Sequence, residues 1–166
     1  DLKDFGIHGL ESVEAVGANA KMNEFCAAMG LCNLRHVDEE IVKRGRVVAR
    51  YREHLTGVEG IRLSPQQQDV KPNYAYFPVV FDEKTFGATR NEVYHHLAEH
   101  GIMARKYFYP LVNDFACYCS QYDSKDTSVA LAIAKRVLTL PLYAELPLEQ
   151  VDEICRLILE TGKKRG

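Results

Sequence analysis

Apolar positions recur at helical spacing through the first third of the chain. Met22, Phe25, Cys26 and Met29 fall at i, i+3, i+4 and i+7 and predict a helix over about 24–36 with one face inward. Leu34, Ile41, Val48 and Leu55 then repeat every seven residues, with Val37 and Tyr51 alongside. That stripe predicts a long amphipathic helix to about residue 56, packed on a core. Asp38 is placed to cap it, with Glu39 and Glu40 in the first turn, where the helix dipole favours them. Arg44, Arg46, Arg50 and Arg52 read mostly as a solvated face, and Gly57 and Gly60 end the helix. Before residue 18, Gly6, Gly9 and Gly17 break any period.

From Ile61 the period changes. Ile61–Leu63 reads as a short strand, and the aromatic and β-branched run Tyr74–Phe81 as the strongest strand of the chain. Pro78 has no N–H to donate, so it belongs at an edge or a bulge. Thr89-Arg-Asn-Glu92 is a capping box opening a helix that carries Val93 and Leu97 and stops before Gly101. Ile102–Tyr107 is the next predicted strand, and Phe108–Leu111 turns out of it into an aromatic loop reaching about residue 124. Beyond the loop come a helix over about 126–137, with Val129, Ile133 and Val137 inward, and an extended Leu138–Leu142. The last helix starts at Pro147 and Glu149, with Val151, Ile154, Cys155 and Ile158 on one face. The fold expected is α/β in two parts: a helical segment over 1–60, and a small α/β sandwich over 61–166 with helices on a mostly antiparallel sheet. No internal repeat or low-complexity tract interrupts it.

Composition narrows the function classes. The 166 residues are 46% hydrophobic and 27% charged, an ordinary globular balance able to bury roughly 70% of the unfolded surface. A net charge of −2 gives no electrostatic basis for binding nucleic acid or an anionic membrane. No apolar run approaches the ~20 residues that span a bilayer, and no signal peptide is read. The five cysteines lack metal-finger spacing. His95, His96 and His100 share one helix and read as surface histidines, so no metal site is expected. Cys26, Cys32 and Cys155 lie in helical patterns and Cys117 and Cys119 flank Tyr118, which fits reduced, mostly buried thiols in a cytoplasmic protein. The chain starts at Asp1 without a methionine and reads as a piece of something longer.

One stretch carries candidate chemistry. In Gly17-Ala-Asn-Ala-Lys-Met-Asn23, Asn19 offers an amide donor and Lys21 a cation, both suited to a phosphate. Asn23 is a good N-cap and Glu24 lies in the first turn, so the loop feeds a helix start, a natural anion site. On those residues alone an ordinary solvated surface loop fits as well.

Gly17-Ala-Asn-Ala-Lys-Met-Asn-Glu24 resembles the glycine-x-Asn-x-Arg-Met-Ser/Thr-Glu signature of the DegT/StrS-type nucleotide-sugar aminotransferases. Further segments agree in order: Arg44…Tyr51…Leu55, Tyr74–Phe81, Gly101-Ile102…Tyr109-Pro110-Leu111, and Ala134–Leu142 with Val151 and Ile154. The resemblance implies the C-terminal part of a fold-type-I enzyme that uses pyridoxal 5'-phosphate and works as a homodimer with each active site at the subunit interface. It implies that Asn19 reaches the cofactor phosphate of the neighbouring subunit. Lys21 would lie near the phosphates of the nucleotide sugar, where the family usually has Arg, keeping the charge without the bidentate fork. Arg105, Tyr107 and Tyr109 would line the sugar pocket. Many members carry a His after the Pro-Leu of that loop, and Val112 stands there here.

The implied reaction moves an amino group from glutamate or glutamine to a keto-deoxy sugar of a nucleoside-diphosphate sugar. It needs a lysine to hold the cofactor and an acid for the pyridine nitrogen. Both lie upstream in the family, and Lys21, Lys106 and Lys135 are not in the right context, so no catalytic residue is expected in this segment and none of its activity when isolated. Alternatives remain open: a sugar dehydratase lacking that lysine, a non-catalytic module binding a sugar nucleotide or a partner, or an unrelated α/β domain.

Overall fold

The computed structural model describes residues 7–8, 12–13, 18, 21–115 and 120–163. Two short strands, β1 (Ile7–His8) and β2 (Ser12–Val13), precede the helices α1 (Glu24–Leu34) and α2 (Val37–Leu55). Then come β3 (Ile61–Leu63), β4 (Phe77–Phe81), α3 (Glu83–Phe86) and α4 (Arg90–Glu99). After two 3₁₀ turns, Val112–Asp114 and Ser124–Thr127, the chain ends with α5 (Ser128–Ala134), β5 (Val137–Leu140) and α6 (Leu148–Lys163). Two compact units divide it: Asp1–Glu39 and Glu40–Gly166. The sequence pattern groups 1–60; in the structure α2 from Glu40 onward belongs with the second unit, where Val47, Val48, Tyr51 and Leu55 are buried.

In the first unit β1 and β2 pair antiparallel, Ile7 opposite Val13 and His8 opposite Ser12. Asn23 caps α1 as expected, its side chain accepting from the Cys26 backbone N–H at 2.9 Å. The inward face predicted for this helix is not found. No α1 residue is buried, and Met22, Phe25, Met29 and Leu34 are all exposed, Phe25 at 86%. Cys26 and Cys32 are exposed thiols, a correction to their expected burial, whereas Cys155 is buried. The physical reason is composition: apolar residues surround α1 on every side, so no single stripe selects a face. Asp38 lies inside α2, not at its cap, because the helix already starts at Val37.

In the second unit the sheet order is β3-β4-β5, antiparallel throughout. Phe77, Val79 and Phe81 point one way into a core completed by Tyr51 and Leu55 of α2, Val93 and Leu97 of α4, and Val151, Ile154, Cys155 and Ile158 of α6. Tyr51 stacks on Phe77 at 4.9 Å and donates its hydroxyl to the Pro141 carbonyl at 2.9 Å. The α4 capping box forms as read: Thr89 Oγ1 accepts from the Glu92 N–H, and Glu92 accepts from the Thr89 N–H at 2.7 Å. Of the arginines read as a solvated face, Arg50 is half-buried and clasps Asp152 of α6 through Nε at 2.6 Å and Nη2 at 2.9 Å.

Several predicted boundaries move. The strand predicted over Tyr74–Phe81 begins at Phe77, because Tyr74 takes a left-handed φ of 51° and Asn73 Oδ1 accepts from Ala75 N in a local turn. Ile102–Tyr107 is not a strand; Arg105 alone makes a bridge, exchanging 2.9 and 2.8 Å backbone bonds with Thr139. The helix predicted over 126–137 is shorter: Val137 is a buried strand residue and Val129 is 78% exposed, leaving Ala134 as the buried helical residue. Pro78 lies in the middle strand rather than at an edge. Thr139, opposite it, spends its backbone groups on Arg105, so the Pro78–Thr139 pair is a non-hydrogen-bonded one. The Pro78 nitrogen therefore faces the other side, where β3 has already ended at Leu63 opposite Val79.

Candidate functional site

The bridge at Arg105 sets the course of the next five residues. With its backbone tied to Thr139 on the outer side of β5, the chain leaves the sheet at Lys106 and turns through Tyr107, Phe108, Tyr109 and Pro110. The Tyr107–Phe108 and Tyr109–Pro110 peptide bonds are cis. This segment, with Tyr94 of α4, lines a cleft of about 840 Å³ that also includes Met103, Leu111, Val112 and Phe115. Arg105, Tyr107 and Met103 also line a smaller hollow of about 230 Å³ with Tyr76 and Thr139. The Arg105–Tyr107 pair is thus the wall between two hollows.

Three of the residues singled out in the sequence meet here. Arg105 donates from Nη1 to the Tyr107 hydroxyl and holds its guanidinium 5.3 Å from the Tyr107 ring. Tyr109 is half-exposed and lies 5.1 Å from the guanidinium of Arg90. Lys21 is exposed and belongs to the first unit, and Asn19 lies outside the described residues, as do Gly17, Cys117 and Cys119. Val112, in the position where a His was the expected alternative, is 60% exposed on the cleft.

Other side chains at this place carry no mark in the sequence pattern. Arg90, at the first position of α4, is 4% exposed; its Nη1 donates to the Val137 carbonyl at 2.9 Å and its Nε has no hydrogen-bond partner. Burial pushes the Arg90 guanidinium below the usual arginine range, and Tyr109 partly counters this. The Lys106 ammonium sits 4.5 Å from the centre of the Tyr94 ring. Burial lowers its pKa, and the nearby Arg90 charge lowers it further. One signal for Arg90 does exist: a cation in the first turn of a helix opposes the dipole and needs another reason to be there. Tyr76, 56% exposed, packs edge-on to Tyr107 at 5.7 Å and to Phe108 at 6.4 Å.

Electrostatically the place is one-sided. Among the described residues no carboxylate is paired with Arg90, Arg105 or Lys106, and neither hollow is lined by Asp or Glu. Cations interleaved with aromatic rings suit an anion that carries a flat or apolar part. Among the described residues, no group of His, Cys, Asp and Glu could hold a metal ion.

Fold and cleft together define an α/β domain whose sheet carries a cationic, aromatic hollow along one side. The chain belongs to the DegT/DnrJ/EryC1/StrS aminotransferase family, whose model matches residues 2–159. It is 38% identical over 160 residues to the dTDP-4-amino-4,6-dideoxy-D-glucose transaminase of Escherichia coli, a match covering 95% of this chain and 43% of that relative. The same-named transaminase of Shigella dysenteriae is 37% identical over 162 residues, with 96% and 43% covered. Among solved structures, DesI in the presence of its TDP-sugar product superposes with a TM-score of 0.85 at 31% identity, over 98% of this chain and 41% of that one. Streptomyces venezuelae DesV in complex with a ketimine intermediate gives 0.84 at 25% identity, over 98% and 43%. The chain therefore spans less than half the length of the relatives it matches.

Proposed function

We propose that the protein acts as a pyridoxal 5'-phosphate-dependent nucleotide-sugar aminotransferase, with this chain supplying its substrate-binding C-terminal part. It moves an amino group from glutamate or glutamine to the keto carbon of a keto-deoxy sugar on a nucleoside diphosphate, and dTDP-linked 4-keto-6-deoxyglucose is the first substrate to try, given the named relatives. The observation that carries the reading is the cleft: Arg105 and Lys106, with no carboxylate partner among the described residues and beside tyrosines, suit a diphosphate bearing a sugar and a base, and the buried Arg90 adds its charge from behind Tyr109.

When bound, the cofactor supplies an electron sink for the amino-transfer chemistry. The described cleft residues do not fit its reacting ring, because no carboxylate lines the hollow to pair with a ring nitrogen. No step of the reaction is therefore assigned to them. Their work is binding: Arg105 and Lys106 attract the diphosphate, and Tyr107 and Tyr109 border the sugar. Asn19 is assigned to the cofactor phosphate across a two-fold contact and Lys21 to the substrate phosphates. A homodimer in the cytoplasm is part of the same reading, and the exposed apolar surface of α1 favours burial against further protein. Among the described residues no helix is long and apolar enough to cross a membrane.

The test is amino transfer by the full-length protein with cofactor, glutamate and the keto-sugar nucleotide, followed by mass of the amino product. Arg105→Ala is expected to raise KM by about tenfold or more, as loss of a charge-assisted contact does. The 166-residue chain alone is expected to form no amino sugar. A full-length protein that binds the nucleotide sugar but dehydrates it, or leaves it unchanged, would overturn the assignment.

A further inference from the structure

Three rings stand together beside the cleft, and two of them, Phe108 and Tyr76, have no role assigned in holding the sugar or the diphosphate. Tyr107 and Phe108 are stacked, 4.7 Å between centroids and 9° between planes. Tyr76 stands nearly perpendicular to both, at 86° and 79°. Arg105 holds Tyr107 from its hydroxyl and its ring, so the stack is anchored from within. Yet Phe108 is 68% exposed and Tyr76 56%, leaving much of the ring surface in water. Burying such rings is strongly favoured, and a pre-stacked, pre-oriented pair loses little entropy on taking a further flat partner.

Resting on the aminotransferase reading, we propose that the exposed face of Phe108 is the stacking surface for the nucleobase of the sugar nucleotide, with Tyr76 edge-on beside it. Charge supports this occupant over an apolar peptide. The surface adjoins Arg105 and Lys106, neither paired with a carboxylate among the described residues, so a flat ring and a polyanion are accommodated side by side. Phe108 brings no hydrogen-bonding group to read the base edge, and in this unit only the Tyr76 hydroxyl is left for it, since Tyr107 is engaged by Arg105. Stacking of that kind adds affinity with little discrimination between pyrimidines.

The test measures binding to the full-length holoenzyme by calorimetry with thymidine diphosphate, uridine diphosphate and inorganic pyrophosphate. Both nucleotides are expected to bind at least tenfold more tightly than pyrophosphate and within a few-fold of each other. Phe108→Leu is expected to lose about tenfold in nucleotide affinity while pyrophosphate binding is unchanged, and Phe108→Tyr, which keeps the ring, to restore it. Equal losses for nucleotide and pyrophosphate, or no loss at all, in a variant with the parent's thermal midpoint would overturn the stacking site. If Phe108→Leu leaves KM for a turned-over sugar nucleotide unchanged, the stacking site falls and the aminotransferase reading stands. If the enzyme binds no nucleotide, both fall.

Discussion

Asp152 accepts from three donors on α2: Arg50 Nε at 2.6 Å, Arg50 Nη2 at 2.9 Å and His54 Nε2 at 2.7 Å. The Arg50 guanidinium chiefly, with His54 adding, holds its carboxyl below the usual 3.8, at about 2. A carboxyl depressed by folding contributes stability that is present above its unfolded value and lost as pH falls through the folded one. The clasp between α2 and α6 therefore weakens between about pH 4 and pH 2. Asp152→Asn is expected to lower the urea midpoint at pH 7, and the gap from the parent to shrink as the pH is taken from about 4 toward 2. A gap that stays constant across that window would show that the carboxylate is not what matters. Such pairings were beyond the sequence, since Arg50 and Asp152 lie 102 positions apart and nothing local links them. Asn23, Thr89 and Glu92 were legible because a cap acts within three residues of itself.

Elements were legible where a period ran long and illegible where the chain leaves the sheet. The stripes of α2, α4 and α6 placed Tyr51, Leu97 and Ile158 in the core without any tertiary knowledge. Ile102–Tyr107 has the composition of a strand, but β5 offers it a single bridge at Thr139, and the aromatic turn takes the rest. That departure is what builds the cleft, so the least readable segment is the one proposed to bind. Turns at glycine show a second way in which space decides. Gly57 and Gly60 share nearly the same φ, 79° and 77°, so alanine carries the same backbone penalty at either, ~1–3 kcal/mol. Their surroundings differ: a Cβ at Gly57 meets nothing within 4 Å, whereas at Gly60 it would come 2.2 Å from the Phe86 nitrogen. Gly60→Ala is thus expected to destabilise by clearly more than Gly57→Ala, the excess being the cost of moving the α3 backbone. Equal losses in thermal midpoint would mean that the α3 end yields freely.

At the scale of the molecule, the buried apolar core found among the described residues lies in one unit. The buried hydrophobic residues run from Val47 to Ile158, all within Glu40–Gly166, whereas α1 buries none. An 11-residue helix without a packed face is marginal in water, so α1 contributes little to the stability of the 166-residue chain. Residues 40–166 keep the three-stranded sheet, the Arg50–Asp152 clasp and the aromatic cleft intact. Expressed alone, that segment is expected to unfold in one cooperative transition with a midpoint within a few degrees of the 166-residue chain. Both are expected to fall short of the full-length protein, in which the apolar residues Phe25, Met29 and Leu34 are expected to be covered. Hydrogen exchange on the full-length protein gives the complementary reading. Amides of α1 are expected to be protected there and to exchange freely in the 166-residue chain. Equal protection in both would mean that α1 stands on local propensity alone, and that its apolar surface needs no further protein to cover it.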